Sequence, residues 1–317
     1  MIIRGRTKPI VLKKYDAMIP RLPPNFPGME EMRTEQARRH KGYVGEQKVD
    51  YHIDILTADF TILHDVSLEI RNKTFQLDTI VITQHAIFIV ESKNYSGTIT
   101  FDTILQQLTR NDGKKESGYQ YPITQVELQQ LKLQQWLQLN NHTNIPIYFF
   151  IAISEPSTII NVIGEREGIA RVVAHGAAIP KKVLDMNDTF KKRGASTINH
   201  RKIGQIILQG CKDFDMAIMA KHGVCWQDLL PGVQCLKCGW LGMERESRKW
   251  HCPKCSHISK YAHQRALDDY FLLVSARLTN KRCMWFLKLR SRHIVSRLLK
   301  SSKRLNYHLK NRSWTLK

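Results

Sequence analysis

The spacing of hydrophobic and polar residues predicts a mixed α/β core in the first two-thirds of the chain. Apolar residues recur at helical spacing from Glu35 to about Leu56, and a series of strand-like runs follows. The predicted strands cover residues 60–68, 74–83, 86–93, 97–101 and 145–153. The last of these is continuously apolar, as expected for a strand buried on both faces. Helix, strands, helix and strand in this order indicate an α/β fold.

Four further segments complete the predicted first part of the chain. A Gln-rich helix spans about Ile123–Leu139, because its apolar positions fall on one side. We expect residues 162–174 to supply another strand and residues 204–221 a closing helix. The Pro-rich, basic segment 1–36 is predicted to be an arm that lies on the core, which leaves residues 37–222 as the core domain.

The hydrophobic pattern becomes helical again near the C-terminus. Three helices and a hairpin are predicted, over residues 267–278, 281–289, 292–300 and 307–316. Thr279 and Asn280 offer an N-cap for the second helix, and Ser291 offers one for the third. Three short helices followed by a hairpin resemble a winged helix-turn-helix, which we assign to residues 261–317.

Four of the seven cysteines form two CxxC pairs. Thirteen residues separate the pairs, which are Cys235 with Cys238 and Cys252 with Cys255. This spacing is typical of a zinc ribbon, here residues 232–258, in which two knuckles complete a tetrahedral thiolate site. Four thiolates leave no open position for water, so the predicted Zn²⁺ is structural. The odd number of cysteines and the paired spacing indicate a reducing compartment rather than a disulfide framework.

Charge separates the C-terminal region from the rest of the chain. The net charge is +21, and residues 232–317 hold 20 Lys and Arg against 4 Asp and Glu. After Asp269 no acidic residue follows, whereas 13 Lys and Arg do. A compact basic module favours a polyanion such as nucleic acid.

The third predicted helix is the candidate recognition helix of the winged helix-turn-helix. The residues expected to contact nucleic acid are Arg292, His293, Ser296, Arg297 and Lys300, with Lys310 and Arg312 from the hairpin. The alternative is a basic helical bundle that docks on the core or on a partner protein.

Membrane insertion is not expected from the sequence. No run approaches the roughly 18 apolar residues that a spanning helix needs, and the segment from Met1 to Arg6 leads into mixed polar sequence without a signal peptide. We therefore expect a cytoplasmic protein with no membrane partner.

The candidate chemistry lies on the second and third predicted strands. Glu91 and Lys93 point to one face of their strand, and a hairpin would bring Asp78 to them. Two carboxylates could hold Mg²⁺ or Mn²⁺, which polarises a scissile phosphate, and the lysine could orient water or stabilise charge. The alternative for such a triplet is a solvated strand face.

Several short motifs surround this triplet in a fixed order. They are Gly42-Tyr43-Val44-Gly45-Glu46, Gln76-Leu77-Asp78, Val90-Glu91-Ser92-Lys93-Asn94 and Pro122-Ile123-Thr124-Gln125. Together they resemble the nuclease-related domain, NERD, of the PD-(D/E)XK nuclease superfamily, over about residues 38–155.

The resemblance implies a restriction-endonuclease-like core with a central mixed sheet flanked by helices. It implies that Asp78 and Glu91 are metal ligands and that Lys93 is the catalytic lysine. Glu46 would be an auxiliary acid, with a helix-face acid as the alternative, and Gln125 would line the site or simply begin its helix.

Three hypotheses of function follow. The first is a metal-dependent nuclease that acts on DNA in preference to RNA, with the zinc ribbon and basic tail holding the nucleic acid. The second is a non-catalytic nucleic-acid-binding or regulatory protein that keeps the nuclease fold. The third is a protein–protein adaptor that docks through the zinc ribbon.

Overall fold

The computed structural model describes all residues, Met1–Lys317, and divides into two compact units. The first unit comprises Met1–Pro9 and Arg38–Phe214, and the second comprises Ile10–Ala37 and Asp215–Lys317. The segment 1–36, which the sequence suggested to be an arm, is therefore divided between the two units. None of the helices is long and apolar enough to cross a membrane.

The first unit is a mixed α/β structure, which confirms the predicted fold class. Its strands are β1 (Ile2–Arg4), β2 (Thr61–Ile70), β3 (Lys73–Ile82), β4 (Ile87–Lys93), β5 (Thr98–Asp102), β6 (Gln107–Asn111), β7 (Glu116–Tyr119), β8 (Ile147–Ile153), β9 (Ile159–Ile163) and β10 (Val173–His175). Its helices are α3 (Pro122–Leu139), α4 (Arg166–Val172), α5 (Ile179–Lys192) and α6 (His200–Gly210). Helix α2 (Met29–Ile53) belongs to the second unit up to Ala37 and to the first unit from Arg38.

The central sheet has six strands in the order β1-β2-β3-β4-β8-β10. Strands β2, β3 and β4 are antiparallel, whereas β1 pairs parallel with β2 and β8 pairs parallel with both β4 and β10. A smaller sheet, β7-β6-β5-β9, is formed by strands that follow β4 and β8. The central sheet is mixed, as the resemblance implied.

Alternating side chains of the central strands build two hydrophobic layers. On one face, Ile80 of β3 and Ile89 of β4 belong to a core that includes Leu133 of α3 and Ile207 of α6. On the opposite face, the neighbouring positions join a core with residues of α2 and α5; this core contains Val49, Ile53, Val81, Phe88, Val90, Ile179 and Val183. The sheet is thus flanked by helices on both faces.

Two predicted elements of the first unit were wrong. The single strand expected over residues 162–174 is interrupted at Gly164, whose φ of +90° ends β9, and the Glu165 side chain then caps α4. The helix expected over residues 204–221 begins earlier, where Asn199 accepts a hydrogen bond from Lys202 N, and it ends at Gly210.

The second unit contains α1 (Ile10–Met18), α7 (Ile218–Lys221) and two small sheets. The first sheet holds β11 (Glu244–Glu246), β12 (Lys249–His251) and β13 (Ile258–Ser259), all antiparallel. The remaining elements are α8 (Ala262–Leu273), β14 (Leu278–Thr279), α9 (Asn280–Phe286), α10 (Arg292–Ser301), β15 (Leu305–His308) and β16 (Ser313–Leu316).

Strands β14, β16 and β15 form the second small sheet in that order. The predicted N-caps of α9 and α10 are present: Thr279 accepts a hydrogen bond from Arg282 N, and Ser291 accepts one from Ile294 N. One hydrophobic core joins the cysteine-bearing segment to the C-terminal helices; its largest fully buried side chains are Trp250, Tyr270 and Phe286.

Candidate functional site

The pairing of β3 with β4 places the two candidate carboxylates beside each other. Thr79 pairs with Val90, so the next positions along the two antiparallel strands are Asp78 and Glu91. The Ser92 backbone N–H donates to Asp78 Oδ2 over 2.8 Å, which fixes this carboxylate at the end of the paired segment. A register shift of one residue would turn these side chains to the opposite face of the sheet.

Glu91, Lys93 and Gln125 meet directly. The Lys93 Nζ atom donates to Glu91 Oε1 over 2.8 Å and to Gln125 Oε1 over 2.9 Å. The Gln125 Nε2 atom donates to Glu91 Oε1 over 2.7 Å, which closes a three-residue cluster. Glu91 is 3% exposed, so the cluster holds its carboxylate in a largely desolvated position.

Gln129 is a member of this cluster that the sequence analysis missed. Its Nε2 atom donates to Glu91 Oε2 over 3.1 Å, so both carboxylate oxygens of Glu91 accept hydrogen bonds. The signal that could have identified Gln129 is its spacing, because residues four apart on α3 lie on the same helix face as Gln125.

The pKa values of Lys93 and Asp78 are both raised, but for different reasons. Burial lowers the pKa of Lys93, but the adjacent Glu91 carboxylate outweighs burial and raises that pKa above its ordinary value. Burial raises the pKa of Asp78 well above its ordinary value, and the negative charges of Glu91 and Glu46 add to this rise. Lys93 therefore carries a positive charge at neutral pH. A cation bound beside Asp78 would favour the ionised form of its carboxyl group.

Glu46 reaches the site through Arg6, a residue that the sequence analysis did not select. The Arg6 guanidinium pairs with Glu46 over 2.6 Å and with Asp50 over 2.6 Å, and its Nη2 atom donates to the carbonyl oxygen of Asp78 over 2.6 Å. The Arg6 side chain is only 5% exposed. Glu46 is thus partly buried and paired with a buried arginine.

Asp50 belongs to the same network and also contacts a buried histidine. Its Oδ1 atom lies 2.9 Å from His64 Nδ1, and the His64 Nε2 atom lies 3.0 Å from Asp54 Oδ1. Burial raises the pKa of Asp50, but hydrogen bonds from His64 and Arg6 outweigh burial and lower that pKa overall. Asp50 therefore stays ionised beside Arg6.

A close backbone approach explains why the glycine before Glu46 and the asparagine after Lys93 occur together. A Cβ atom placed on Gly45 would lie 2.5 Å from Cβ of Asn94, which real structures do not tolerate. Asn94 in turn donates from Nδ2 to the Lys41 carbonyl oxygen over 2.7 Å. The contact brings α2, and with it Glu46, against the end of β4.

The four cysteines of the CxxC pairs are positioned to hold a metal ion. Their sulfur atoms all lie within 4.8 Å of one another. The Sγ atoms of Cys235 and Cys255 are 3.7 Å apart, and those of Cys238 and Cys252 are 3.6 Å apart. A tetrahedron with Zn–S bonds of about 2.3 Å has edges of about 3.8 Å, so this arrangement is consistent with zinc.

The two pairs form similar knuckles. Gly239 N donates to the Cys235 carbonyl oxygen over 3.0 Å, and Ser256 N donates to that of Cys252 over 2.9 Å. Gly239 has a φ of +73° and Ser256 has a φ of +56°, so both lie in the left-handed region. Glycine suits this conformation in the first knuckle, whereas the second uses a residue with a Cβ atom.

The candidate nucleic-acid contacts on α10 fall on two sides of that helix. Arg292, Ser296 and Lys300 line a cavity of about 610 Å³ together with Arg312. Arg297 instead lines a second cavity of about 620 Å³. His293 and Lys310 are exposed. The Ser296 hydroxyl is already engaged, because it accepts a hydrogen bond from Asn280 Nδ2 over 2.7 Å.

The comparison with known families finds a match for the part of the first unit that carries the polar cluster. Residues 41–154 match the model of the nuclease-related domain, NERD. The matched range is close to the one expected from the motifs, 38–155, and it confirms the resemblance. It covers about a third of the chain and contains Glu46, Asp78, Glu91, Lys93 and Gln125.

The chain is similar to an uncharacterized protein of Bacillus anthracis. The two are 32% identical over 99 residues, which is 31% of this chain. The chain covers 46% of that relative's length, a little under half. No solved structure matches the chain.

Proposed function

We propose that the protein is a metal-dependent nuclease that hydrolyses phosphodiester bonds in DNA. The observation that carries this proposal is the convergence of Glu91, Lys93 and Gln125 beside Asp78 within the nuclease-related domain. A solvated strand face would leave these side chains exposed and without mutual contacts. Glu91 is instead buried, and both of its carboxylate oxygens accept hydrogen bonds.

The residues present fit a hard divalent cation such as Mg²⁺ or Mn²⁺. Proteins hold Mg²⁺ through one or two carboxylates, with water and substrate phosphate as further ligands. Asp78 and Glu91 would supply those carboxylates from neighbouring strands. Their like charges, which contribute to the raised pKa of Asp78, are what a cation between them would offset. When bound, the cation would polarise the scissile phosphate and lower the pKa of its water.

The side chains around the carboxylates divide the remaining work. Because the pKa of Lys93 is raised, this residue is a proton-bearing cation and stabilises negative charge on the reacting phosphate rather than acting as a general base. Gln125 and Gln129 hold Glu91 and Lys93 in position through hydrogen bonds. Glu46 and Arg6 act as positioning residues, since their ion pair ties α2 to β3.

The second unit would hold the nucleic acid. The four cysteines would bind one structural Zn²⁺ and form a zinc ribbon with β11, β12 and β13. The order α8-β14-α9-α10-β15-β16, with a three-stranded sheet, supports a winged helix-turn-helix in which α10 is the recognition helix. Phosphates would be contacted from the cavity of about 610 Å³ by Lys281, Arg292, Lys300 and Arg312.

Cleavage assays test the proposed reaction. Supercoiled plasmid and single-stranded DNA are incubated with zinc-loaded protein and either Mg²⁺ or Mn²⁺. We expect Asp78→Asn and Lys93→Met to lower the cleavage rate by about 100-fold or more, because each removes charge at the reacting phosphate. The matched controls Asp188→Asn and Lys191→Met change the same charges at exposed positions of the first unit and should cleave like the wild type.

Two results would contradict the proposed reaction. Cleavage that survives both Asp78→Asn and Lys93→Met would come from another source. Binding of DNA without cleavage of any substrate would favour the second candidate, a nucleic-acid-binding protein that keeps a nuclease fold. That candidate is supported by the concentration of positive charge in residues 232–317.

A further inference from the structure

A cavity of about 620 Å³ lies within the second unit, between the cysteine-bearing segment and α10. Its lining combines residues from β11 and the turn after it, from the start of α8, and from one side of α10. The volume lies within the range of about 300–1,000 Å³ that small-molecule sites occupy. This volume is of the size that a nucleotide unit requires.

The charge of this cavity has one sign. Its lining includes Arg245, Arg248, Lys260 and Arg297 and no acidic residue. The Nη1 atom of Arg245 is buried and has no hydrogen-bond partner. Burial and the nearby positive charge of Arg297 both lower the pKa of Arg245, so an anion between the two guanidinium groups would offset a repulsion that the protein leaves uncompensated.

The position of Arg245 is held by packing rather than by an ion pair. Its guanidinium carbon lies 5.2 Å from the centre of the Trp250 ring, and Trp250 is itself fixed by donating to His263 Nδ1 over 3.1 Å. Planar guanidinium groups bind phosphate with two parallel hydrogen bonds. Arg245 is thus oriented in advance for an oxyanion.

An aromatic ring occupies the same lining. Tyr261 is 58% exposed, and the Lys260 Nζ atom lies 5.8 Å from the centre of its ring. Single-stranded nucleic acids bind through this combination of positive charge along the backbone and an exposed aromatic face on which a base stacks. A phospholipid headgroup would use the cations but would have no use for the ring.

We propose that this cavity binds one nucleotide of a single-stranded nucleic acid, with its phosphate between Arg245 and Arg297 and its base against Tyr261. The site is distinct from the cavity on the other side of α10, which Arg292 and Lys300 line. The inference rests on the proposed nucleic-acid binding of the second unit and does not require that the first unit cleaves DNA.

Fluorescence anisotropy of the full, zinc-loaded chain tests the proposal, with labelled oligo(dT) and a duplex of equal length as probes and no added Mg²⁺. For Arg245→Gln/Arg297→Gln we expect affinity for oligo(dT) to fall at least tenfold. The slope of log affinity against log salt should fall in magnitude by about 0.7, since the contact with one phosphate is lost. For Tyr261→Leu we expect at least a fivefold loss with oligo(dT) and less than a twofold loss with the duplex.

Matched controls remove the same number of positive charges, and one tyrosine ring, elsewhere. Lys191→Gln/Lys192→Gln removes two exposed positive charges, and Tyr51→Leu removes an exposed ring in the first unit. Both should bind oligo(dT) like the wild type. One equivalent of zinc, an unchanged far-UV circular dichroism spectrum and cooperative thermal unfolding establish that each variant is folded.

Three outcomes would overturn the proposal. The cavity variants could bind oligo(dT) with wild-type affinity and salt slope. Tyr261→Leu could weaken oligo(dT) and duplex equally, which would reduce the cavity to general charge attraction. The double variant could lose binding to phosphatidylglycerol vesicles while keeping oligo(dT) binding, which would assign the cavity to a lipid headgroup. Because no outcome depends on cleavage, failure of the proposed nuclease reaction would leave a separate signature.

Discussion

Glu91 shows how a buried charge at the candidate site is satisfied. Its two oxygens accept hydrogen bonds from Lys93, Gln125 and Gln129, which come from a strand and a helix far apart in sequence. Desolvating a carboxylate is costly unless it is paired and hydrogen-bonded, so these partners are a condition of its burial. The same partners leave the group rigid, which a phosphodiesterase site requires.

How much of this cluster the sequence could predict depends on the distance along the chain. Glu91 and Lys93 share a strand and Asp78 lies on the adjacent one, so alternation and a hairpin were sufficient to predict their proximity. Arg6 precedes Asp78 by 72 residues and lies in a Pro-rich region without periodic pattern, so only the tertiary structure reveals its role.

Ser256, in the second knuckle, has a left-handed backbone conformation that a glycine would adopt with less strain. We expect Ser256→Gly to raise the free energy of unfolding of the zinc-loaded protein by up to about 1 kcal/mol, because its φ of +56° disfavours a residue with a Cβ atom. The reciprocal change Gly239→Ser should lower that free energy. Thermal unfolding and competition with a zinc chelator measure both effects, and a destabilising Ser256→Gly would show that the Ser256 side chain has a role of its own.

His263 predicts a pH dependence of stability. Burial, together with the positive charge of nearby Arg245, lowers its pKa to about 4 from an ordinary value of about 6.5. Between these values the unfolded chain binds more protons than the folded one, so stability falls as pH decreases from 6.5 to 4. The full loss corresponds to about 3 kcal/mol.

The variant His263→Gln isolates this effect. Glutamine can still accept the hydrogen bond from Trp250 Nε1 but does not titrate. Acid releases a thiolate-bound metal from both proteins, so the difference between their unfolding free energies, measured by denaturant titration at several pH values, reports on His263. A difference that stays constant from pH 6.5 to 4 would contradict the expected role.

At the scale of elements, hydrophobic periodicity predicted the three antiparallel strands of the central sheet to within two residues at either end. Strands β2, β3 and β4 correspond to the predicted runs 60–68, 74–83 and 86–93. Residues 107–119, which form β6 and β7, were not assigned, because their largely polar and exposed side chains give no period. Helix α2 was expected from Glu35 and begins at Met29, where the mixed polar sequence carries no cap signal.

The approach of α2 to β4 depends on Gly45 and not on Gly42, the other glycine of the same motif. We expect Gly45→Ala to lower the free energy of unfolding by about 1–3 kcal/mol, because the new Cβ atom would lie 2.5 Å from Asn94 Cβ. Gly42→Ala meets no atom within 4 Å, and in a helix interior it should raise that free energy by about 0.5–1 kcal/mol.

The double variant Gly45→Ala/Asn94→Gly tests the cause. Removing the Asn94 side chain takes away the opposing Cβ atom, so we expect part of the lost stability and of any cleavage activity to return. Denaturant titration measures the stability. Equal effects of Gly45→Ala and Gly42→Ala would mean that helix propensity, and not the contact with Asn94, governs this motif.

At the scale of the whole molecule, composition and topology separate the proposed chemistry from the proposed binding. The nuclease-related domain lies in the first unit, whereas the four cysteines and the excess of positive charge lie in residues that belong to the second. In the sequence, the cysteine spacing and the distribution of charge already set residues 232–317 apart from the rest of the chain. The sequence could not predict that Ile10–Ala37 belongs to the second unit, because the pairing of α1 with α8 depends on tertiary contacts.

Removal of zinc should therefore affect one unit and spare the other. The hydrophobic core of the second unit contains Cys235 and Cys252 beside Trp250, so loss of the metal leaves like-charged or unpaired thiols within that core. We expect chelation to remove one equivalent of zinc and to expose the amides of β11, β12 and β13 to hydrogen exchange. The amides of β2, β3 and β4 should stay protected, because their hydrogen bonds and packing involve no cysteine of the cluster.

Affinity for DNA should fall at least tenfold under the same conditions. Exchange mass spectrometry on the full chain, with Cys238→Ser as a genetic counterpart to the chelator, distinguishes this from a uniform loss of protection, which would mean that the two units unfold together.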